Sequence, residues 1–349
     1  MSKGPSSAVT DRQDVRSVQV ASSAVVIGTA SFGESALLAE GAVVRSSGTV
    51  EIGTGSAVLE NSVVVGTVEL STRIGRRAVF GHRCLVVGAT VGDLCEIGNA
   101  SILMPGARVG DRVLLGEGTL VPAGATLPSD VVAVGRPARI IREVSAADLE
   151  RLRGLRDGDL SVPPATSITV GPTQEAVAMD QLHAYRGIVP TIAASAVLFA
   201  SAEITGDVVV GDRSIIGAGV KIIGDSHGPV RIGRDVQILE NTVLHLLPDN
   251  ELVIDDAAII GPGAMIHGCH IGARSVIEPG AIVCDGSVVG VDCVVRAGAV
   301  VRQRSRFHDR TEIDGLPAVE LGSIDPPGTP AWAFSLGDLP GPAPGGPPA

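Results

Sequence analysis

The chain has 349 residues, with 27 Lys and Arg against 38 Asp and Glu for a net charge of −11, and its 45% hydrophobic content is too apolar for a disordered chain. That acidic balance excludes nucleic acid and anionic membranes as expected partners. One Trp, one Tyr and five Phe leave the core to aliphatic side chains, while 45 Gly without a Gly-X-Y period exclude collagen and favour a turn-dense β fold.

In chain order, residues 1–17 read as a flexible N-terminus without the charged-then-apolar pattern of a secretory signal. No apolar run reaches the roughly 18 residues of a membrane span, so a cytoplasmic location is expected. Over 18–144 an aliphatic period of six takes over, in one phase: Val91, Ile97, Leu103, Val109, Leu115, Val121 and Leu127. Gly92, Gly98, Gly110 and Gly116 follow directly behind, where small residues are expected to take turn conformations that bulky ones resist. A period of six fits neither a helix nor an isolated strand. It fits a short strand plus a tight turn, three of which close a triangular coil of about 18 residues whose aliphatic corners bury on the next coil.

Segment 145–189 reads as helix and linker. Ser145 is a capping residue, Leu149, Leu152 and Leu155 are spaced by three, and the helix is expected to pack along the first domain. Residues 157–172, rich in Pro, Gly, Ser and Thr, read as linker. The period of six returns within 190–322 at Ile271, Ile277, Val283, Val289, Val295 and Val301. Residues 323–349 are Pro/Gly-rich and expected to be a disordered tail, in which Trp332 and Phe334 are either a docking patch or incidental. Five cysteines, odd in number and without a Cys-x-x-Cys pair, read as buried thiols.

A longer repeat contains the short one. Leu59-Glu60-Asn61-Ser62-Val63-Val64-Val65 matches Leu239-Glu240-Asn241-Thr242-Val243-Leu244-His245 at an offset of 180, and Gly135-Arg136-Pro137-Ala138 matches Gly315-Leu316-Pro317-Ala318 at the same offset. The chain is therefore read as two tandem parallel β-helices, an all-β protein.

Domain 2 carries Gly224-Asp225 ahead of Val230-Arg231-Ile232-Gly233, then Glu240-Asn241-Thr242-Val243-Leu244-His245, then Ile260-Gly261-Pro262-Gly263-Ala264-Met265-Ile266-His267-Gly268. These words resemble γ-class carbonic anhydrases, hexapeptide-repeat proteins with a left-handed β-helix, over nearly all of both domains. The resemblance implies the left-handed coil and a metal, Zn²⁺ or else Fe²⁺ or Co²⁺, held between two prisms by three His. Two outer ligands come from one prism and a middle ligand from its neighbour. His245 and His267 stand at the outer positions of domain 2, with Pro262 at its middle one; domain 1 has Val65 and Val87 at the outer positions and His82 at the middle one. The expected site is thus a composite of His82, His245 and His267. Three His with an open position are what a metal needs to bring its bound water to a pKa of roughly 7 and deliver hydroxide.

The family's Arg-Gly-Asp word is split between Arg45 and Asp225, which suggests an ion pair across the interface. The family's Gln is replaced by Leu59 and Leu239, and beside them Glu60 and Glu240, in place of its Asp, are the candidate catalytic residues. His183, His227, His270 and His308 read as surface or structural residues. The function implied is carbonic-anhydrase-like hydration, dehydration or hydrolysis of a small molecule, by a homo-oligomer or a hetero-oligomer with another γ-type prism. Two rivals remain: a metal-independent hexapeptide acyltransferase with His82 or His267 as general base, and a non-catalytic scaffold subunit.

Overall fold

The computed structural model describes residues 17–173, 181–225 and 228–335. Among them no helix is long and apolar enough to cross a membrane. Each aliphatic residue of the six-residue period points inward from a short strand. Phe80, Val86, Val91, Ile97, Leu103, Val109, Leu115, Val121 and Leu127 all sit in one buried core, and Ile271, Ile277, Val283, Val289, Val295 and Val301 in another. Strands one coil apart pair in parallel, as Val79 with Glu96, Leu85 with Ile102 and Thr90 with Arg108. The result is two tandem left-handed parallel β-helices, each a three-faced prism.

The turns differ from expectation in one respect. The left-handed residue comes three positions after each inward aliphatic, at Leu94, Ala100, Gly106, Arg112, Gly118, Gly124 and Asp130. The Gly directly behind the aliphatic is required for another reason. A Cβ on Gly92 would come within 2.7 Å of the Gly110 carbonyl carbon in the next coil, so crowding between coils rather than backbone conformation selects glycine there.

We call the faces of domain 1 1a, 1b and 1c. Face 1a runs from Gln19–Val20 to Val131–Val134 and is closed by the antiparallel strand Arg139–Glu143; face 1b runs from Val25–Gly28 to Leu120–Val121; face 1c runs from Ala30–Phe32 to Thr126–Leu127. At the offset of 180 the corresponding faces of domain 2 are 2a, which includes Gln237–Ile238, 2b, which includes Val243–His245 and Met265–His267, and 2c, which includes Leu252–Ile254. Domain 2 starts earlier than the sequence suggests, because Leu182–His183 already pairs with Ile204 and Thr205.

The helix Ala146–Gly154 is capped by Ser145 in a reciprocal capping box with Asp148. It seats the fully buried Leu152 on Leu114 and Val132 of face 1a. The linker is not free either: Ile168–Val170 pairs antiparallel with Ala30–Phe32, adding a strand to face 1c. Residues 1–16, His227 and 336–349 of the expected termini and loops lie outside the described residues.

Cys84, Cys95, Cys269 and Cys293 are buried and Cys284 is half-buried. Burial pushes the Cys84 and Cys95 thiols up to about 12, and raises the others as well. Thiolate is the reactive form. In the folded protein at pH 8, Ellman's reagent is therefore expected to reach Cys284 first, with the remaining four reporting only after denaturation; prompt reaction of all five would contradict this packing.

Candidate inter-prism site

The two prisms share a third apolar cluster, the seam between them. Face 1b contributes Val25, Val43, Val63, Val65, Leu85, Val87, Ile102 and Met104, and face 2a contributes Ile215, Leu239, Ile259, Val276 and Val294. In a strand of such a prism one side chain in two points to the core and the other outward. On face 1b both sets are buried: all four residues of Val63–Gly66 and all three of Leu85–Val87. The corner of domain 2 rides on this face. A Cβ on Gly263 would lie 2.8 Å from Leu85 Cδ2, and Asn241 Nδ2 donates to the carbonyls of Gly41 and Asn61 at 3.0 and 3.1 Å.

This packing decides where the ligand positions fall. Val65 and Val87, at the outer positions of domain 1, lie in the seam with no accessible surface, and buried Pro262, at the middle position of domain 2, lies next to Gly263 on the same contact. The seam thus brings together the three positions that carry no histidine. His82, His245 and His267 are outside it. Among the described residues no group of three or more His, Cys, Asp or Glu is placed to hold a metal ion, so one chain does not by itself bring His82 to His245 and His267. The reason is topological: face 1b packs on face 2a, whereas the composite would need face 2b to pack on face 1a.

His245 and His267 do come together. They are register partners on adjacent strands of face 2b, with ring centroids 5.8 Å apart and ring planes at 89°. Both rings are partly exposed. Asp285 Oδ2 stands 3.6 Å from His267 Nδ1, and Asp285 Oδ1 accepts from the Leu247 N–H at 3.1 Å and from the Asn250 amide. His82 sits on the corner between faces 1a and 1b, half-exposed, with Nδ1 2.7 Å from Glu60 Oε2. His270 pairs with Asp255 and His308 with Glu320, both as exposed surface pairs.

The expected pairing of Arg45 with Asp225 is corrected. Arg45 is fully buried in the seam; its Nε donates to Oε1 of Glu240, which is equally buried. Nη2 donates to the carbonyl of Trp332, and the guanidinium lies 4.4 Å from the centre of the Phe334 ring. Asp225 follows Lys221–Gly224 on face 2b, the face not packed against domain 1, which is why it does not take this place. Glu240, expected as a catalytic residue, is sealed from solvent and serves the seam instead. Glu60 stays at the surface beside His82.

Of the two readings of Trp332 and Phe334, docking holds, and the expectation of a disordered tail is corrected for residues 323–335. Trp332, Ala333 and Phe334 are buried within the seam cluster, and Phe334 stacks on Phe199 with centroids 5.1 Å apart. Composition alone hid this, because two aromatics in a Pro/Gly-rich stretch do not fold by themselves; they fill a crevice that the two prisms provide.

No protein-family model matches the chain. It is 29% identical over 142 residues to the carnitine operon protein CaiE of Escherichia coli K12, covering 41% of this chain and 72% of that one. It is 36% identical over 109 residues to a carbonic anhydrase of Geobacillus kaustophilus, covering 31% and 59%. Among solved structures, a putative acetyltransferase of Bacillus cereus matches at 32% identity over 41% of this chain and 83% of that chain, with a TM-score of 0.41.

Proposed function

Because the chain is a tandem hexapeptide-repeat protein of the left-handed β-helix family, with two γ-class carbonic-anhydrase-like prisms in one polypeptide, we propose that it supplies one half of a γ-type metal–hydroxide site, the pair His245 and His267. The observation that carries this reading is the register pairing of the two imidazoles on face 2b, with ring centroids 5.8 Å apart. A catalytic zinc of this type takes three protein ligands and leaves one position open. Among the described residues one chain offers two, so they do not by themselves fit the metal centre of the family. What these residues do is hold a donor pair. Asp285, anchored by the Leu247 N–H and the Asn250 amide, places a carboxylate oxygen 3.6 Å from His267 Nδ1, beside the pair but beyond direct hydrogen-bond reach.

Titration of the full chain with Co²⁺, followed by visible absorption and calorimetry, tests the reading. We expect one weakly held ion per chain, lost in His245→Ala and in His267→Ala and retained in His82→Ala. Loss in His82→Ala to the same degree would overturn the half-site and restore a composite one.

A second reading, metal-independent acyl transfer, is supported by a cavity of about 580 Å³ at the C-terminal end of the seam, between Met104, Leu120 and Arg136 of domain 1 and Glu278, Arg296 and Asp314 of domain 2. Acyl-CoA binding that is lost in Arg136→Glu would favour it.

A further inference from the structure

We infer that the cavity at the C-terminal end of the seam is a binding site for a small aliphatic monocarboxylate, whose charged head meets Arg136. At about 580 Å³ the cavity has the size that encloses a small organic molecule. Both domains build it. Arg136 and Leu316 hold equivalent places in the turns Gly135-Arg136-Pro137 and Gly315-Leu316-Pro317, 180 residues apart. Both line the cavity, one with a guanidinium and the other with an apolar side chain.

Arg136 is in place before any ligand arrives. Its Nε donates to the Gly118 carbonyl of domain 1 at 2.7 Å, and its Nη1 donates to the Gly298 carbonyl of domain 2 at 2.9 Å. A Cβ on Gly298 would come within 2.6 Å of Nη1, so this glycine leaves the room in which the guanidinium lies. The two bonds use two of the five N–H donors of an arginine, and both acceptors are uncharged. Among the described residues no carboxylate pairs with Arg136, and burial pushes its guanidinium below the usual value with no acid offsetting it. Arg296, half-buried on the domain 2 wall, shows the contrast. Burial pulls it down too, but Glu312 and Glu278 accept from its Nε and Nη1 at 2.7 and 3.0 Å and hold it above its usual value. A half-buried cation without such partners gains most from an anion brought to it.

The acids on the domain 2 wall limit what that anion can be. Glu278 spends both oxygens, Oε1 on Arg296 and Oε2 on the Ala297 N–H at 2.8 Å, and Asp314 Oδ1 accepts from the Gly315 N–H at 2.7 Å. Burial holds the Glu278 carboxyl above the usual carboxylate range against the pull of Arg296, and Asp314 adds its repulsion. A phosphate monoester would bring a second negative charge toward these acids. A carboxylate brings one, and its two oxygens match the fork of the guanidinium. The body of the ligand is set by Met104, Leu120, Pro122, Pro137 and Leu316, which offer it an aliphatic wall. The site therefore goes beyond the readings above: it uses neither the histidine pair nor a thioester on a phosphate-bearing carrier. Because cavity and guanidinium span both domains, a ligand that binds only the docked pair also stabilises the seam.

The test titrates the full chain by calorimetry with sodium octanoate, 1-octanol and free CoA, and follows the Trp332 fluorescence transition in urea with and without octanoate. We expect one octanoate per chain, octanol weaker by about tenfold or more because it lacks the charge, no displacement by CoA, and a Trp332 transition moved to higher urea. Arg136→Met is expected to weaken octanoate by about tenfold or more, and Arg136→Lys to recover part of the loss. Should Arg136→Met loosen the seam itself, Leu316→Glu reads the cavity independently. Leu316 is 56% exposed, so its replacement leaves the packing alone while adding a negative charge to the cavity, and octanoate is expected to bind about tenfold more weakly. Octanol bound as tightly as octanoate, octanoate retained in Leu316→Glu, displacement of octanoate by CoA, or no binding at millimolar octanoate would each overturn the inference.

Discussion

Arg45→Ala is expected to destabilise the seam by about 3–5 kcal/mol, the range for removing one partner of a buried ion pair. The substitution strands the Glu240 carboxylate, which has no accessible surface and whose Oε2 has no hydrogen-bond partner among the described residues. It also removes the donor to the Trp332 carbonyl and the cation facing the Phe334 ring. Each prism has its own closed core, so the loss falls on the contact between them. The single tryptophan lies in that contact, and the strands report separately by circular dichroism. In urea, the Trp332 fluorescence transition of Arg45→Ala is expected to precede the dichroism transition, whereas the two coincide in the parent chain. Arg45→Met with Glu240→Leu should recover much of the loss, because replacing a buried pair by apolar side chains of similar volume is often neutral or stabilising. Coincident transitions in Arg45→Ala would show that the seam and the prisms unfold as one unit and that the pair does not govern docking.

The prisms were legible because their physics repeats. Each coil needs an inward aliphatic at every corner, so one residue in six announces the fold many times over, and Phe80, Val86 and Val91 or Ile271 and Ile277 occupy those corners. The helix was legible from its cap and its leucines. The seam left a fainter mark: Val43, Val63 and Leu85 are apolar at positions that should face water, which is the signal of a covered face. Val243, Met265 and Ile282 carry the same mark on face 2b, and nothing local distinguishes a face covered within the chain from one left open. The histidine pattern was ambiguous for that reason. His82 complements His245 and His267 on paper, but the chain joins 1b to 2a, and with that contact the retained histidines fall outside the seam. The sequence marks Arg45 as an interface residue but not its partner, because the nearest carboxylate depends on which corner rides on face 1b, and that corner carries Glu240.

Removing the two aromatics of the tail is the second large effect expected. Trp332 and Phe334 retain 4% and 5% of their exposure, and truncating a side chain of this size to Ala in a packed interior costs about 3–5 kcal/mol. They do more than fill space. The Phe334 N–H donates to Gln237 Oε1 at 2.8 Å, its carbonyl accepts from Gln237 Nε2 at 3.2 Å, and the Thr67 hydroxyl donates to the carbonyl of Ala331 at 3.0 Å, so the segment ties face 2a to domain 1. Without these rings the segment has little apolar surface to hold it, and the Trp332 carbonyl leaves Arg45 as the segment detaches. Trp332→Ala and Phe334→Ala are therefore expected to be less than additive, since either one releases the same clasp. Hydrogen exchange provides the measurement: in the double variant, amides of Val43–Ser46 and Gln237–Ile238 that lie against the clasp should exchange faster, while those of Leu252–Ile254, on a face remote from the seam, should not change. Uniform acceleration over both prisms would mean that the segment stabilises the folded chain as a whole, and unchanged exchange throughout would mean that the two prisms hold each other without it.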